Sequence, residues 1–167
     1  MSTIQEQKYL AAHPLFNGLK SPLLTKLFKS AKKITYKAGA MIYEEGNSAD
    51  FLFIILEGRV NLTSQKQDIH VTQSAEKNII QTLKKNDIMG WSVLVPPYRW
   101  QFDTQAAEKV KLLRLNGKDI RMLCEKNHSL GYELLRRTTG FLVERLNNTR
   151  MHLILNGGRA FTQAEGA

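Results

Sequence analysis

Between Ile34 and Leu115 the chain alternates between short runs rich in Ile, Val, Phe, Tyr and Thr and compact turn signals. No other feature limits the fold as tightly. The turns are Ala38-Gly39, Glu45-Gly46-Asn47, Gly58 and Lys84-Lys85-Asn86, and Phe51–Ile55, Arg59–Thr63, Asn78–Leu83 and Lys109–Leu115 read as strands. Val60/Leu62 and Val110/Leu112 alternate with polar neighbours, as antiparallel strands buried on one face do. About seven or eight such strands in about eighty residues imply a mainly β fold, a jelly-roll or related barrel. Gln65–Ser74 is polar and reads as a protruding hairpin tip.

Helices flank this region. Residues 4–12 form a weak N-terminal helix that stops before Pro14. Ser21-Pro22 reads as an N-cap followed by proline at the first helical position. Leu23, Leu24, Leu27, Phe28 and Ala31 then share one face, with lysines opposite. After Asn116, the residues Ile120, Leu123 and Cys124 mark a short amphipathic helix. A longer helix from Ser129 to Leu155 would span about 40 Å at 1.5 Å per residue. It carries two stripes. Tyr132, Leu135, Thr139, Leu142, Leu146, Thr149 and Leu153 fit a heptad seam, and Leu134, Thr138 and Phe141 lie beside it. One face can cover the barrel while the other meets a second helix. The length of the helix favours a homodimer over packing on its own domain alone. The expected organisation is a single domain over residues 1–156, with a barrel over 34–115, helices over 117–155 and a flexible tail over 157–167.

At 167 residues the chain can bury one good core. No apolar run approaches the ~20 residues of a membrane helix, and the N-terminus lacks a secretory apolar segment. Cys124 is the sole cysteine, which excludes an internal disulfide and gives no thiolate metal cluster. The cytoplasm is the expected location. Much of the net charge of +9 sits on Lys20, Lys26, Lys29, Lys32, Lys33 and Lys37. Without aromatics interleaved as base-stacking platforms, this is a solvated face. His13, His70, His128 and His152 are scattered, with no His-x-His pair to build a metal site. No nucleophile has a recognisable base nearby, so the chain is not expected to be an enzyme.

The stretch Asp87-Ile88-Met89-Gly90-Trp91-Ser92-Val93-Leu94-Val95-Pro96-Pro97-Tyr98-Arg99-Trp100-Gln101-Phe102 stands apart. Glycine lets backbone approach a ligand, and successive N–H groups at such a turn form an anion nest. Arg99 adds a fork suited to phosphate. Taken alone, the stretch reads as a strand–turn–strand loop with a solvated arginine.

Over Leu15–Ile154 the sequence resembles the cyclic-nucleotide-binding domain of the catabolite activator protein and its relatives. The resemblance rests on Phe16-Asn17-Gly18-Leu19, on Tyr36, Ala38-Gly39, Ile42 and Glu45-Gly46, and on Ala49-Asp50, Leu52, Phe53, Ile55, Gly58, Val60 and Leu62. In that family a glycine, a glutamate, a turn of exposed N–H groups and an arginine entering the next strand hold the ribose and cyclic phosphate. The resemblance implies these roles for Gly90, for Ser92, Val93 and Leu94 as the N–H turn, and for Arg99; Ala106 matches the small residue ending the cassette. Trp91 stands at the glutamate. Arg99 precedes Ala106 by seven residues where six is usual, and Trp100 occupies the strict arginine register. A bulge or a slightly longer turn would restore Arg99. Glu144-Arg145-Leu146-Asn147-Asn148-Thr149-Arg150 resembles the dimer helix, with Thr149 facing a purine and Arg150 replacing a small hydroxyl residue. Gly90-Trp91-Ser92 with Pro96-Pro97-Tyr98-Arg99 resembles a stand-alone bacterial subgroup. About a dozen residues follow Ile154, so a helix-turn-helix and sequence-specific DNA binding are not expected.

Three functions are weighed. In the first, the chain is a cytoplasmic receptor for a cyclic nucleotide, cyclic AMP foremost, that signals through an unidentified effector protein. In the second, Trp91 plugs the sugar space and the domain is a ligand-independent dimeric scaffold, or its pocket serves another nucleotide such as cyclic di-GMP. The third, a cupin-type metalloenzyme, lacks its metal ligands.

Overall fold

A computed structural model describes residues 3–63 and 79–164, with side chains through residue 151. The expected hairpin tip at Gln65–Ser74, and the side chain of Leu153 in the heptad seam, lie outside these. Helix α1 (Ile4–Ala12) starts at a capping box: Thr3 accepts from the Glu6 N–H while Glu6 accepts from the Thr3 N–H. Glu6 also pairs with Lys33 at 3.0 Å, tying α1 to the first strand. Helix α2 (Pro22–Ser30) begins with the Ser21 cap and buries Leu24, Leu27 and Phe28.

Eight strands follow: β1 (Lys32–Tyr36), β2 (Met41–Tyr43), β3 (Phe51–Glu57), β4 (Val60–Thr63), β5 (Ile79–Leu83), β6 (Ile88–Met89), β7 (Asp103–Ala106) and β8 (Val110–Asn116). They form two antiparallel four-stranded sheets, ordered β1-β8-β3-β6 and β2-β7-β4-β5. This is the expected jelly roll. In the first sheet both faces of β3 are covered, since Leu52, Phe53, Ile54 and Ile55 are all buried. In the second, Val60, Leu62, Thr104 and Ala106 point inward and Asn61 and Gln105 outward. The β3–β4 corner requires glycine: Gly58 has φ 88°, and a Cβ there would stand 2.6 Å from the Lys109 carbonyl oxygen.

Helix α3 (Gly117–Lys126) and helix α4 (His128–Ala164) close the chain. Leu134 and Thr138 of α4 are buried and Phe141 packs on the core, while Tyr132, Leu135 and Leu146 are exposed. Thus one predicted stripe covers the domain, while the seam is exposed at Tyr132, Leu135, Thr139 and Leu146 and half-buried at Leu142 and Thr149. The helix runs past its expected end near residue 155. Gly157 and Gly158 each cost only ~1 kcal/mol against alanine, and no proline follows to stop it.

His13 pins the turn after α1. Its Nδ1 accepts from the Leu15 N–H at 3.2 Å and its Nε2 faces the Asn86 carbonyl at 2.8 Å. The ring is therefore the neutral tautomer protonated at Nε2. It stacks on Phe141 with centroids 6.2 Å apart. Burial holds its pKa below the usual histidine value, although the Asn86 carbonyl and the Asp87 charge oppose the shift.

Candidate functional site

Gly90 ends β6 in the left-handed region, φ 79°, and opens a 3₁₀ turn over Trp91–Leu94. A first turn of this kind leaves its leading N–H groups without partners in the helix, the feature an anion nest requires. Ser92 and Val93 are buried and Trp91 and Leu94 half-buried. Arg121 of α3 donates to the Val93 carbonyl at 3.0 Å and lies over the Tyr98 ring at 4.5 Å. The Gly117 N–H donates to Asp50 at 2.8 Å. The turn is thereby clamped between β3 and α3.

Beyond the exposed prolines, residues 98–100 pair with the loop between β2 and β3. Ala49 N–H donates to Tyr98, Trp100 N–H to Asn47, and Gly46 N–H to Trp100, at 2.8 to 2.9 Å. Arg99 opposes Ser48. The register shift of this ladder lies further along, between Met41 and Tyr43 of β2. The guanidinium is exposed on the rim and donates to the Gly46 carbonyl at 2.7 Å.

Trp100 turns the other way. Its indole is 5% exposed and stacks on Tyr43 with centroids 4.1 Å apart and planes 19° apart. Phe53 lies beside both rings. The indole, and not the Arg99 guanidinium, lies against Gly90: a Cβ there would stand 3.0 Å from ring atom Cζ3.

Behind this stack the second sheet carries an unusual row. Gln81 pairs with Leu62, Leu62 with Thr104, and Thr104 with Tyr43, so four strands contribute to one transverse line. Thr104 is fully buried, and Thr104 Oγ1, Gln81 Oε1 and the neighbouring Thr63 Oγ1 have no hydrogen-bond partner among the described residues. The Tyr43 phenol has its pKa pushed up to about 12 by burial. Smaller opposing effects come from the nearby Thr104 hydroxyl, the Arg145 charge and the Gly90 N–H. Thr104 Oγ1 lies close enough to the phenol to act on it, but makes no hydrogen bond of ordinary geometry with it.

Arg145 of α4 closes the site. It donates to the Ile88 carbonyl at 2.8 Å, and burial holds its pKa below the usual guanidinium value. No carboxylate lies within ion-pair distance of it among the described residues. Thr149 sits one turn further on, half-buried, with its hydroxyl donating to the Arg145 carbonyl at 3.0 Å. Arg150 is exposed.

Of the residues singled out from sequence, Gly90, Trp91, Ser92, Val93, Leu94 and Trp100 converge. Arg99 stands outside the space that Trp100 fills, and no hydrogen bond among the described residues joins Thr149 or Arg150 to the turn. Tyr43, Thr104, Gln81 and Arg145 were missed. Only Arg145 left a trace, as part of the Glu144–Arg150 run that resembles the dimer helix. No cluster of three or more His, Cys, Asp or Glu side chains able to hold a metal occurs among the described residues. No described helix is long and apolar enough to cross a membrane.

Comparison with known proteins agrees with this architecture. A cyclic nucleotide-gated potassium channel of Mesorhizobium japonicum is 27% identical over 135 residues, covering 81% of this chain and 34% of the channel. The chain thus spans about a third of that relative's length. A candidate cyclic nucleotide-binding protein from Geobacter metallireducens superposes with TM-score 0.73 at 24% identity, covering 86% of this chain and 99% of that one. The regulatory subunit of a cAMP-independent protein kinase A from Trypanosoma brucei matches with TM-score 0.63 at 20% identity, covering 82% of this chain and 48% of that one. The family model described as cyclic nucleotide-binding domain matches residues 33–127, more than half of the chain. The chain belongs to the cyclic nucleotide-binding domain family.

Proposed function

We propose that this domain is a small cytoplasmic regulatory receptor and not an enzyme. A cyclic nucleotide, cyclic AMP foremost, enters the barrel beneath α4, and a dimer formed through α4 reports to a partner protein. One observation carries the reading: a row of buried side-chain oxygens without partners among the described residues runs across the second sheet to Tyr43. The half-buried Arg145 guanidinium beside it has no carboxylate at ion-pair distance among those residues, the Asp87 charge acting only from further off. A core serving stability alone leaves few such groups unpaired. A ligand with hydroxyls and an anionic phosphate satisfies both kinds. Ligand binding shifts α4 only through its differential affinity for two helix positions, and Arg145 is where it would act. The exposed Tyr132, Leu135 and Leu146 offer the dimer seam.

A second reading, the ligand-independent scaffold, is favoured by the Trp100–Tyr43 stack, which already fills space beside Gly90. The fold alone does not commit to cyclic AMP, since the Trypanosoma neighbour is described as part of a cAMP-independent kinase. Mass spectrometry of the denatured, freshly purified protein, followed by calorimetry with cyclic AMP and cyclic GMP, separates the two. Released nucleotide or saturable heat supports the receptor. Neither, in a folded dimer, supports the scaffold, and binding of cyclic di-GMP alone would assign the pocket to a guanine ligand near Trp91 and Arg150.

A further inference from the structure

We propose that Trp100 is a built-in occupant of the ligand space, and that a nucleotide binds by displacing its indole from Tyr43 and from the Gly90 turn. The inference deepens the receptor reading and rests on it.

The indole lies face to face with Tyr43, centroids 4.1 Å apart, the arrangement in which an aromatic side chain receives a planar ligand. It also covers Gly90, whose missing side chain is what lets a ring approach the turn. Its neighbour Arg99 faces the rim and is held by the Gly46 carbonyl. Residues 98–100 are attached through a short strip of backbone pairing with residues 46–49. Behind them run the exposed Val95, Pro96, Pro97 and Tyr98. The strip has solvent on one side, and moving it outward breaks its backbone hydrogen bonds to residues 46–49 and the Arg121 contact on Tyr98 while drawing Trp100 out of the core.

Two consequences follow from this placement. Apparent affinity is lowered by the small fraction of molecules in which the indole is out. Displacement also bares the Tyr43 ring, on whose phenol the Arg145 charge of α4 acts, so exchanging ring for ligand is felt by the helix. A tryptophan serving only as core would remain buried when ligand binds.

The test uses a Trp91→Phe protein, in which Trp100 is the only tryptophan left of two. On titration with cyclic AMP, Trp100 emission shifts to the red and acrylamide quenching rises to a plateau at saturation. A Trp100 that stays blue and shielded at saturation overturns the inference. Calorimetry on Trp100→Ala should give binding tighter by about tenfold, the equivalent of ~1.4 kcal/mol. If that variant does not fold, Trp100→Leu, which keeps an apolar group over Gly90, replaces it. A folded variant whose affinity does not rise also overturns the proposal. The receptor reading fails separately: nucleotide bound by the folded Trp100 variant but never by the native chain would leave the occupant standing and remove the receptor. No binding by either would remove both.

Discussion

The two sheets of the barrel treat polar atoms in opposite ways. Along β3 and β8, Leu52, Ile54, Leu112, Leu113 and Leu115 are at most 1% exposed. Both faces of β3 are covered. The opposite sheet sets Thr104 and Gln81 into its inner row with oxygen atoms that find no partner among the described residues. A buried hydroxyl without a hydrogen bond costs about 1–3 kcal/mol, so the second sheet gives up stability that the first keeps. The difference teaches where the fold is a scaffold and where it is a site, without reference to any single motif.

The largest effects should separate the sheets. Ile54→Ala, in the first sheet, should lower unfolding free energy by about 2–5 kcal/mol, read from urea denaturation. Thr104→Val should do the reverse, leaving stability unchanged or raising it by up to ~1 kcal/mol, because the lost hydroxyl had no partner. A Thr104→Val protein that is markedly less stable would break the comparison, since its hydroxyl would then be satisfied.

A medium effect comes from His13, which lies at the edge of the scaffold side. Its folded pKa is below the unfolded value of 6.5, so the unfolded chain takes up the proton first. The contribution is intact above pH 6.5 and is lost as pH falls from there through the folded value. Thermal midpoints should therefore drop between neutral pH and pH 5, and His13→Asn should flatten that slope while lowering the plateau.

On α4, Leu146 is 68% exposed. Leu146→Asp should leave the monomer's stability within about 0.5 kcal/mol while abolishing the dimer in light scattering. A wild-type monomer at high micromolar concentration would remove the dimer altogether. The smallest effect is expected at the rim. Arg99→Ala loses an exposed hydrogen bond to Gly46 and should cost no more than ~1 kcal/mol in stability.

These regions differ equally in how legible they were. The scaffold side could be read directly, because its signals are local: Ser21-Pro22 marked the start of α2, and glycines marked corners such as Gly58. The two stripes of α4 also emerged from spacing alone, one buried at Leu134 and Thr138 and the other exposed at Tyr132 and Leu146. The site was only half legible. The turn from Gly90 to Leu94 was found, and so was the one-residue offset between Arg99 and Trp100, but which of the two faces inward depends on pairing with residues 46–49. Tyr43 lies in a strand of three residues, too short for a period, and Thr104 and Gln81 meet it only through cross-strand register. Such long-range pairings leave no mark in a single sequence.

Hydrogen–deuterium exchange with and without saturating cyclic AMP tests the central claim most directly, because it reads both sheets and α4 in one measurement. The account predicts added protection at Gly90–Leu94, in β4 and β7 and around Arg145, with β1 and β8 unchanged. Protection spread evenly over both sheets, or confined to the first, would contradict it.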